Sequence, residues 1–340
     1  MRRGSILSLL GISVVAGGIA TAVALLFPWL PSPASREAGR IDFVFWFVIA
    51  ICIVIFAIVV AALTYAVLNF RAAPDDDSDG PPIHGHTGLE IAWTIVPTIL
   101  VTAIGIVSAV VLSQNDAQGS DPLRVHVTAQ QFAWSFSYPG TNVTSPVLRL
   151  PKDRSVELAL DAKDVIHSFW VPEFSQKQDT VPGLTTHLHI TPDKLGTFPV
   201  ICTELCGLGH ALMRSEVVVM TPAAFDKWLR SQAKGANGAT SPGGPSGAAL
   251  FTQNGCTACH TLAAAKATGK VGPDLDQLPA EAQRAGKPIA AFVRESIVNP
   301  NAYVESGFPK NVMPQTFGST LSKPQLDALV QYLVSSTKKG

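Results

Sequence analysis

Three long stretches without a single charge constrain this chain more than any other feature. Residues 4–35, 43–68 and 91–112 contain no Asp, Glu, Lys or Arg. A helix needs about 20 apolar residues to cross ~30 Å of hydrocarbon, and the second and third runs reach that length. They are expected to form a transmembrane helical hairpin over residues 42–113. The first run follows Arg2 and Arg3 and reads as a signal peptide or an uncleaved first span over residues 1–35, with Ser32-Pro33-Ala34 as a weak cleavage site. Hydrophobic residues make up 47% of the chain and charged residues 15%, with a mean hydropathy of +0.28. That balance is too apolar for an ordinary soluble enzyme. A bitopic protein with one long anchor is the alternative, and Pro81-Pro82 with the polar loop between the runs argues against it.

If the Arg pair stays cytoplasmic, the first segment exits, the second returns and the third exits again. Everything beyond residue 113 then lies on the outer face, whether or not the first segment is removed. The loop over residues 71–90 is acidic (Asp75, Asp76, Asp77, Asp79) and lends this topology no independent support. Lys+Arg and Asp+Glu balance at 25 each, so charge makes no case for a nucleic-acid partner.

Beyond the spans the pattern changes. Leu123-Arg124-Val125-His126-Val127 and Thr186-His187-Leu188-His189-Ile190 alternate apolar with polar residues. Period-two segments broken by Pro and Gly turns predict a half-buried antiparallel sheet, hence a β-sandwich or barrel over about residues 120–225. Within it, Cys202, Cys206, His210 and Met213 fall inside twelve positions, and His167 lies upstream in Asp164-Val165-Ile166-His167-Ser168. Thiolates, imidazoles and a thioether form a soft-ligand set of the kind that selects copper. Two cysteines imply two coppers bridged by both sulfurs and sharing one oxidising equivalent, which suits electron transfer. A Cys202–Cys206 disulfide and a zinc site are the alternatives; zinc would leave Met213 without a role.

C-x-E-x-C-G-x-x-H-x-x-M with an upstream D-V-x-H-S resembles the dinuclear copper (CuA) domain of cytochrome oxidase subunit II. The resemblance extends to Lys177-Gln178-Asp179-Thr180-Val181-Pro182-Gly183 and to the membrane hairpin. It implies a cupredoxin sandwich over residues 120–230, with Cys202 and Cys206 bridging both coppers, His167 and His210 each binding one, and Met213 binding one weakly. Glu204 would ligate copper through its main-chain carbonyl, and its carboxylate would reach a magnesium ion at the interface with subunit I. Glu90, in Leu89-Glu90-Ile91-Ala92-Trp93-Thr94, matches a family glutamate at the mouth of a proton channel; a solvated helix-start acid is the alternative. A carboxylate at a membrane edge is costly in any case. The family's aromatic stretch Q-W-x-W is Gln131-Phe132-Ala133-Trp134 here, so Phe132 replaces the tryptophan at which soluble cytochrome c delivers electrons. Trp134 is expected to pack beside the copper site.

A Gly/Ser/Pro/Ala-rich stretch reads as a flexible linker over residues 231–246. Then comes Gly255-Cys256-Thr257-Ala258-Cys259-His260, and C-x-x-C-H is the attachment signature of c-type haem. Both thiols would bind the haem covalently, with His260 as proximal ligand. Met313 is the remaining candidate for the sixth ligand, because no histidine follows His260 and no other methionine follows it either. His/Met ligation raises the haem potential. Asn311-Val312-Met313-Pro314 and Gly272-Pro273-Asp274-Leu275 resemble loops of class I cytochromes c, the second supplying a proline carbonyl to the proximal histidine. An all-α cytochrome c domain is thus expected over residues 247–338, closed by an amphipathic helix over residues 322–335 with Ser322 as its cap.

The expected whole is a membrane-anchored multidomain protein: a bacterial, plasma-membrane subunit II of the fused-cytochrome (caa) type. The resemblance implies partners in oxidase subunits I and III, the lipid bilayer, and a membrane- or complex-bound cytochrome c donor. It passes electrons from haem c through copper to subunit I, which reduces oxygen to water with proton pumping; no oxygen chemistry resides in this chain. The alternatives are the electron-accepting subunit of a CuA-containing nitric oxide reductase, or a tethered carrier without a catalytic partner. A quinol oxidase subunit II is disfavoured because that family lacks these copper ligands. His84 and His86 read as solvated loop residues, His187 and His189 as strand residues, Cys52 as a packed span residue, and Asn142-Val143-Thr144 as a chance glycosylation match.

Overall fold

The computed structural model describes residues 3–71, 82, 84–117, 119–141, 143–238 and 246–337. Arg2, the four loop aspartates, Pro81 and Asn142 lie outside the described residues.

The three uncharged runs are helices α1 (Arg3–Leu26), α2 (Arg36–Asn69) and α3 (Thr87–Asn115), each long and apolar enough to cross a membrane. Apolar side chains such as Leu7, Val14, Phe56 and Ile99 stand exposed along them, as lipid-facing positions should. Close approach relies on small residues: a Cβ at Gly17 would lie 3.4 Å from Ala57 Cβ, and Ala16, Ala24 and Ala61 are buried. Arg40 Nη1 donates to Asn115 Oδ1 (3.2 Å) and to Gln114 O (3.3 Å), tying the start of α2 to the end of α3.

The domain that follows the helices is a sandwich of two five-stranded sheets. One is ordered β3 (Thr144–Ser145), β2 (Ala133–Ser137), β1 (Leu123–Gln130), β5 (Val156–Ala162) and β8 (Thr186–Ile190). The other is ordered β4 (Leu148–Pro151), β10 (Arg214–Met220), β9 (Gly196–Cys202), β6 (His167–Val171) and β7 (Gln176–Thr180). The alternation read from the sequence is visible in β5, where Val156, Leu158 and Leu160 are fully buried between half-exposed neighbours. Burial of each such side chain contributes about 1.5–3 kcal/mol. Both sheets are mixed, which corrects the antiparallel expectation: β1 pairs with β5, and β4 with β10, in parallel. The chain crosses between sheets, and period-two alternation carries no record of strand direction. Residues 34–37 are built into this domain. Ala34 N–H donates to Glu173 O, Asp193 N–H to Ala34 O, and Thr191 N–H to Glu37 Oε2.

Helix α4 (Pro222–Gly238) closes the sandwich, with Phe225 buried and Trp228 edge-on to Tyr138 at 5.2 Å. It continues through Gly238, so the segment expected to be flexible from residue 231 is helical over its first part. Ala-rich sequence suits helix as readily as linker, and the apolar face of α4 holds the helix in register.

The C-terminal domain contains α5 (Gly247–Gln253), α6 (Cys256–Cys259), α7 (Leu278–Arg284), α8 (Ile289–Val298), α9 (Phe317–Thr320) and α10 (Lys323–Ser336). A two-residue ladder, β11 (Thr261–Leu262) with β12 (Ala267–Thr268), adds a small β element to the helices. Helix α5 crosses α10 at Gly247, where a Cβ would lie 2.2 Å from Ala328 O. Ser322 caps α10, Gln325 Oε1 accepts its backbone N–H (2.9 Å), and Leu329, Val330 and Leu333 are buried.

Candidate metal centre and cofactor cleft

Strand β6 begins at His167, strand β9 ends at Cys202, and the loop that follows carries Glu204, Cys206, His210 and Met213. The sandwich brings these together at one end. Cys202 Sγ lies 3.9 Å from Cys206 Sγ, 4.0 Å from His167 Nδ1 and 3.3 Å from Glu204 O. Cys206 Sγ lies 3.6 Å from His210 Nδ1 and 3.8 Å from Met213 Sδ. The sulfurs are therefore the middle of the cluster, with one imidazole on each. Their separation is far beyond a disulfide bond of ~2.05 Å, and both cysteines are free. Two thiols flanked by two imidazoles, a thioether and a carbonyl fit a pair of soft metal ions better than one zinc, which needs four ligands.

The electrostatics prepare the sulfurs for metal. The contact with Cys206, reinforced by His167, holds the Cys202 thiol far below its usual range, and the same contact raises Cys206. Metal ions bind thiolates, so binding at this pair releases protons. His167 is fully buried. Burial pulls its pKa down, but hydrogen bonds to Asp164 and Cys202 outweigh this and raise it. Its Nε2 meets Asp164 Oδ1 at 2.9 Å, which leaves Nδ1 as the ligand atom. Asp164 also accepts from Gln131 N–H (2.7 Å) and Val165 N–H (2.8 Å). Burial would raise this carboxyl, but those bonds prevail and lower it. Gln131 further donates from Nε2 to Cys206 O. Asp164 and Gln131 are supports that ligand-hunting in the sequence passes over; an aspartate three residues before a ligand histidine was the available signal. Asp164→Ala should lower copper affinity by about 10–100-fold, which competition with a copper chelator would measure.

Trp134 packs beside the centre as expected, 6.3 Å from the His167 ring and 5.5 Å from Phe169. Phe132 is buried against the ligand loop, since a Cβ at Gly209 would lie 2.4 Å from its Cδ2 and one at Gly207 3.2 Å from its Cζ. Glu204 points its carbonyl at Cys202 while the residue itself is exposed.

In the C-terminal domain Cys256, Cys259, His260 and Met313 line one apolar cleft of roughly 1390 Å³, part of it open to solvent. His260 Nδ1 lies 2.8 Å from the Pro273 carbonyl, which leaves Nε2 free for a metal. Burial lowers its pKa, with the Pro273 bond opposing, which favours the neutral ring that a metal ligand needs. Gly272 permits this approach, because a Cβ there would lie 2.5 Å from His260 Cε1. The Met313 loop is pinned by paired amides: Asn301 Nδ2 donates to Asn311 Oδ1 (2.7 Å) and Asn311 N–H to Asn301 Oδ1 (3.0 Å). Burial pushes Cys256 up to about 12 and raises Cys259 as well. Redox-active C-x-x-C pairs have lowered thiol pKa values, so this pair is unlike them. A large apolar cleft with two thiols and a supported imidazole fits a covalent haem.

Glu90 sits in the first turn of α3, where its Oε1 accepts from His86 N–H (3.0 Å). Among the described residues, His187 Nδ1 pairs with Glu157 Oε1 (3.1 Å) on the sandwich surface, apart from the metal cluster.

Residues 21–111 match the family described as Cytochrome C oxidase subunit II, transmembrane domain. Residues 141–221 match Cytochrome C oxidase subunit II, periplasmic domain, and residues 246–337 match Cytochrome c. Cytochrome c oxidase subunit 2 of Synechocystis is 33% identical over 273 residues, covering 65% of this chain and 82% of the relative. Its counterpart from Alkalihalophilus pseudofirmus is 31% identical over 291 residues, covering 82% of each. The solved periplasmic domain of subunit II of cytochrome oxidase from Bradyrhizobium japonicum aligns at 25% identity with a TM-score of 0.32, over 35% of this chain and 98% of that one. The chain belongs to the cytochrome c oxidase subunit 2 family, and within it carries a fused C-terminal cytochrome c domain. It is a membrane protein and the electron-transfer subunit of a haem–copper oxidase complex, with copper and haem c as its cofactors.

Proposed function

We propose that electrons arrive at a haem c held by the C-terminal domain, pass to a copper pair in the sandwich, and leave for subunit I. The side chains of His167, Cys202, Cys206, His210 and Met213 hold the coppers, with the Glu204 carbonyl completing the set. Cys256 and Cys259 would hold the haem covalently, and His260 and Met313 would supply nitrogen and sulfur to its iron. When bound, both groups supply one-electron carriers. The chain's own work is to hold ligands in a frame that barely changes with oxidation state: Asp164 fixes His167, Gln131 fixes Asp164 and the Cys206 carbonyl, and Pro273 fixes His260. The observation that carries this reading is the pair of free sulfurs 3.9 Å apart at the centre of all other donors.

The division of labour along the chain follows the same reading: residues 1–35 a leader or first span, 42–113 the hairpin, 120–230 the copper domain, and 247–338 the haem domain. The outer domains face outward from a bacterial plasma membrane, subunits I and III are the membrane partners, and the donor is a membrane- or complex-bound cytochrome c. Leu205 and Leu208 stand exposed beside the ligands, an apolar surface suited to a partner subunit. The exposed Glu204 carboxylate is the candidate magnesium ligand there, and Glu90 the candidate for proton uptake.

In the purified complex, whose subunit I holds copper of its own, the mixed-valence resonance signal of this chain should show two copper nuclei, and one covalent haem should be found for each copy of the chain; a signal from a single copper nucleus would defeat the reading. Met313→Ala should abolish the ferric charge-transfer band of sulfur ligation and lower the haem potential by on the order of 0.1 V. Survival of the band would make Met313 structural.

A further inference from the structure

The contact between the copper and haem domains is made by residues that belong to neither ligand set. Gln130 Nε2 donates to Asn254 Oδ1 (3.3 Å), and Asn254 Nδ2 donates on to Leu250 O (2.8 Å). These amides stand 124 positions apart in sequence, yet Gln130 is only 7% exposed and Asn254 9%. Buried amides of this kind are normally paired, and here each domain supplies half of the pair. Beside them Gly255 has φ +72°, and a Cβ on it would lie 2.4 Å from Ala133 Cβ. No other residue fits between the haem-binding segment and strand β2.

The same contact touches both candidate centres. Cys256 follows Gly255 directly. Phe132 and Gln131 line the haem cleft together with Cys256, Cys259 and His260. On its other side Phe132 packs on Gly207 and Gly209, between the ligands Cys206 and His210. Gln131 holds Asp164 and the Cys206 carbonyl.

We propose that Gln130 and Asn254 are positioning residues: their hydrogen bond seats the haem domain so that Phe132 spans the gap between the haem cleft and the copper-ligand loop. This rests on the haem-to-copper route above. The step moves one electron from ferrous haem to the oxidised copper pair, leaving ferric haem and a pair reduced by one, and the seam residues make or break no covalent bond. Their role is to fix the distance, on which tunnelling depends steeply. A tethered but unseated domain would spend most of its time too far away.

The test uses the full oxidase complex carrying Gln130→Leu or Asn254→Leu. Haem-to-copper transfer is followed after rapid photoreduction, alongside the haem spectrum, both potentials and the copper resonance signal. Either variant should slow transfer about tenfold, equivalent to ~1.4 kcal/mol of lost seating, while spectra and potentials stay put. Gln130→Asn should also slow it, and combining that change with Asn254→Gln, which preserves the summed length of the two amides, should restore it. Wild-type rates in both leucine variants with both centres intact would overturn the seat, as would a reciprocal exchange no faster than Gln130→Asn alone. Absence of transfer in the unaltered chain is a different outcome, and it would remove the route itself along with the seat.

Discussion

Cys202→Ser should destroy the copper pair outright. A serine oxygen is a harder, poorer donor than thiolate and cannot bridge two soft ions. Cys202 also contacts His167, Cys206 and the Glu204 carbonyl, so its loss detaches one half of the cluster from the other. Removing an outer support of a metal ligand costs 10–100-fold in affinity; removing a bridging ligand should exceed the upper end of that range. Copper content is expected to fall from two to one or none, the mixed-valence resonance signal to vanish, and turnover with cytochrome c to drop by at least about 100-fold. Haem content should be unaffected, because Cys256 packs against a core separate from that of the sandwich. Retention of the signal with both coppers present would sink the assignment of Cys202 as a bridge.

Deleting residues 240–340 should have a comparable effect by another means. Helix α4 ends at Gly238 and α5 is capped by Ser246, so the connection between them reaches no further than about 28 Å at full extension. A haem domain confined to that radius has a local concentration in the millimolar range, far above that of a dissociable donor. With Phe132 packed under the haem domain, the outer donor is expected to reduce haem c and not copper. The truncated chain should therefore lose on the order of 100-fold in oxidation of external cytochrome c, while small artificial reductants still reduce its copper. Unchanged turnover with the protein donor would restore direct docking at Phe132.

Much of this was legible in the sequence, for reasons particular to each part. The membrane helices were readable because hydrocarbon tolerates no charge over so long a run. Five of the six candidate copper donors announced themselves because soft-ligand chemistry uses few residue types, and four of those five fall within twelve positions. The haem motif was equally local. What escaped was mostly non-local. Asp164 and Gln131 are common polar residues whose roles exist only once β1 and β6 are brought together. The parallel pairing of β1 with β5 leaves no trace in an alternating pattern. The persistence of α4 through Gly238 was hidden by a composition that serves helix and linker alike. The Gln130–Asn254 pair could not be read at all, because no spacing rule joins residues 124 apart.

The tight fit of Gly255 on Ala133 also sets an order of events in the life of the molecule. Cys256 follows the contact immediately, and Cys259 and His260 share its cleft with Phe132 and Gln131. Any enzyme that joins haem to those thiols has to work on a cleft to which the sandwich contributes Gln131 and Phe132. The candidate copper ligands Cys202 and Cys206 are buried in turn, with Phe132 packed on the adjoining loop. Maturation is therefore expected to run most freely while the two domains stand apart, with haem attached and copper delivered before closure. A chain that closed early would offer a narrower approach to both sites, so the tether serves biogenesis as well as turnover.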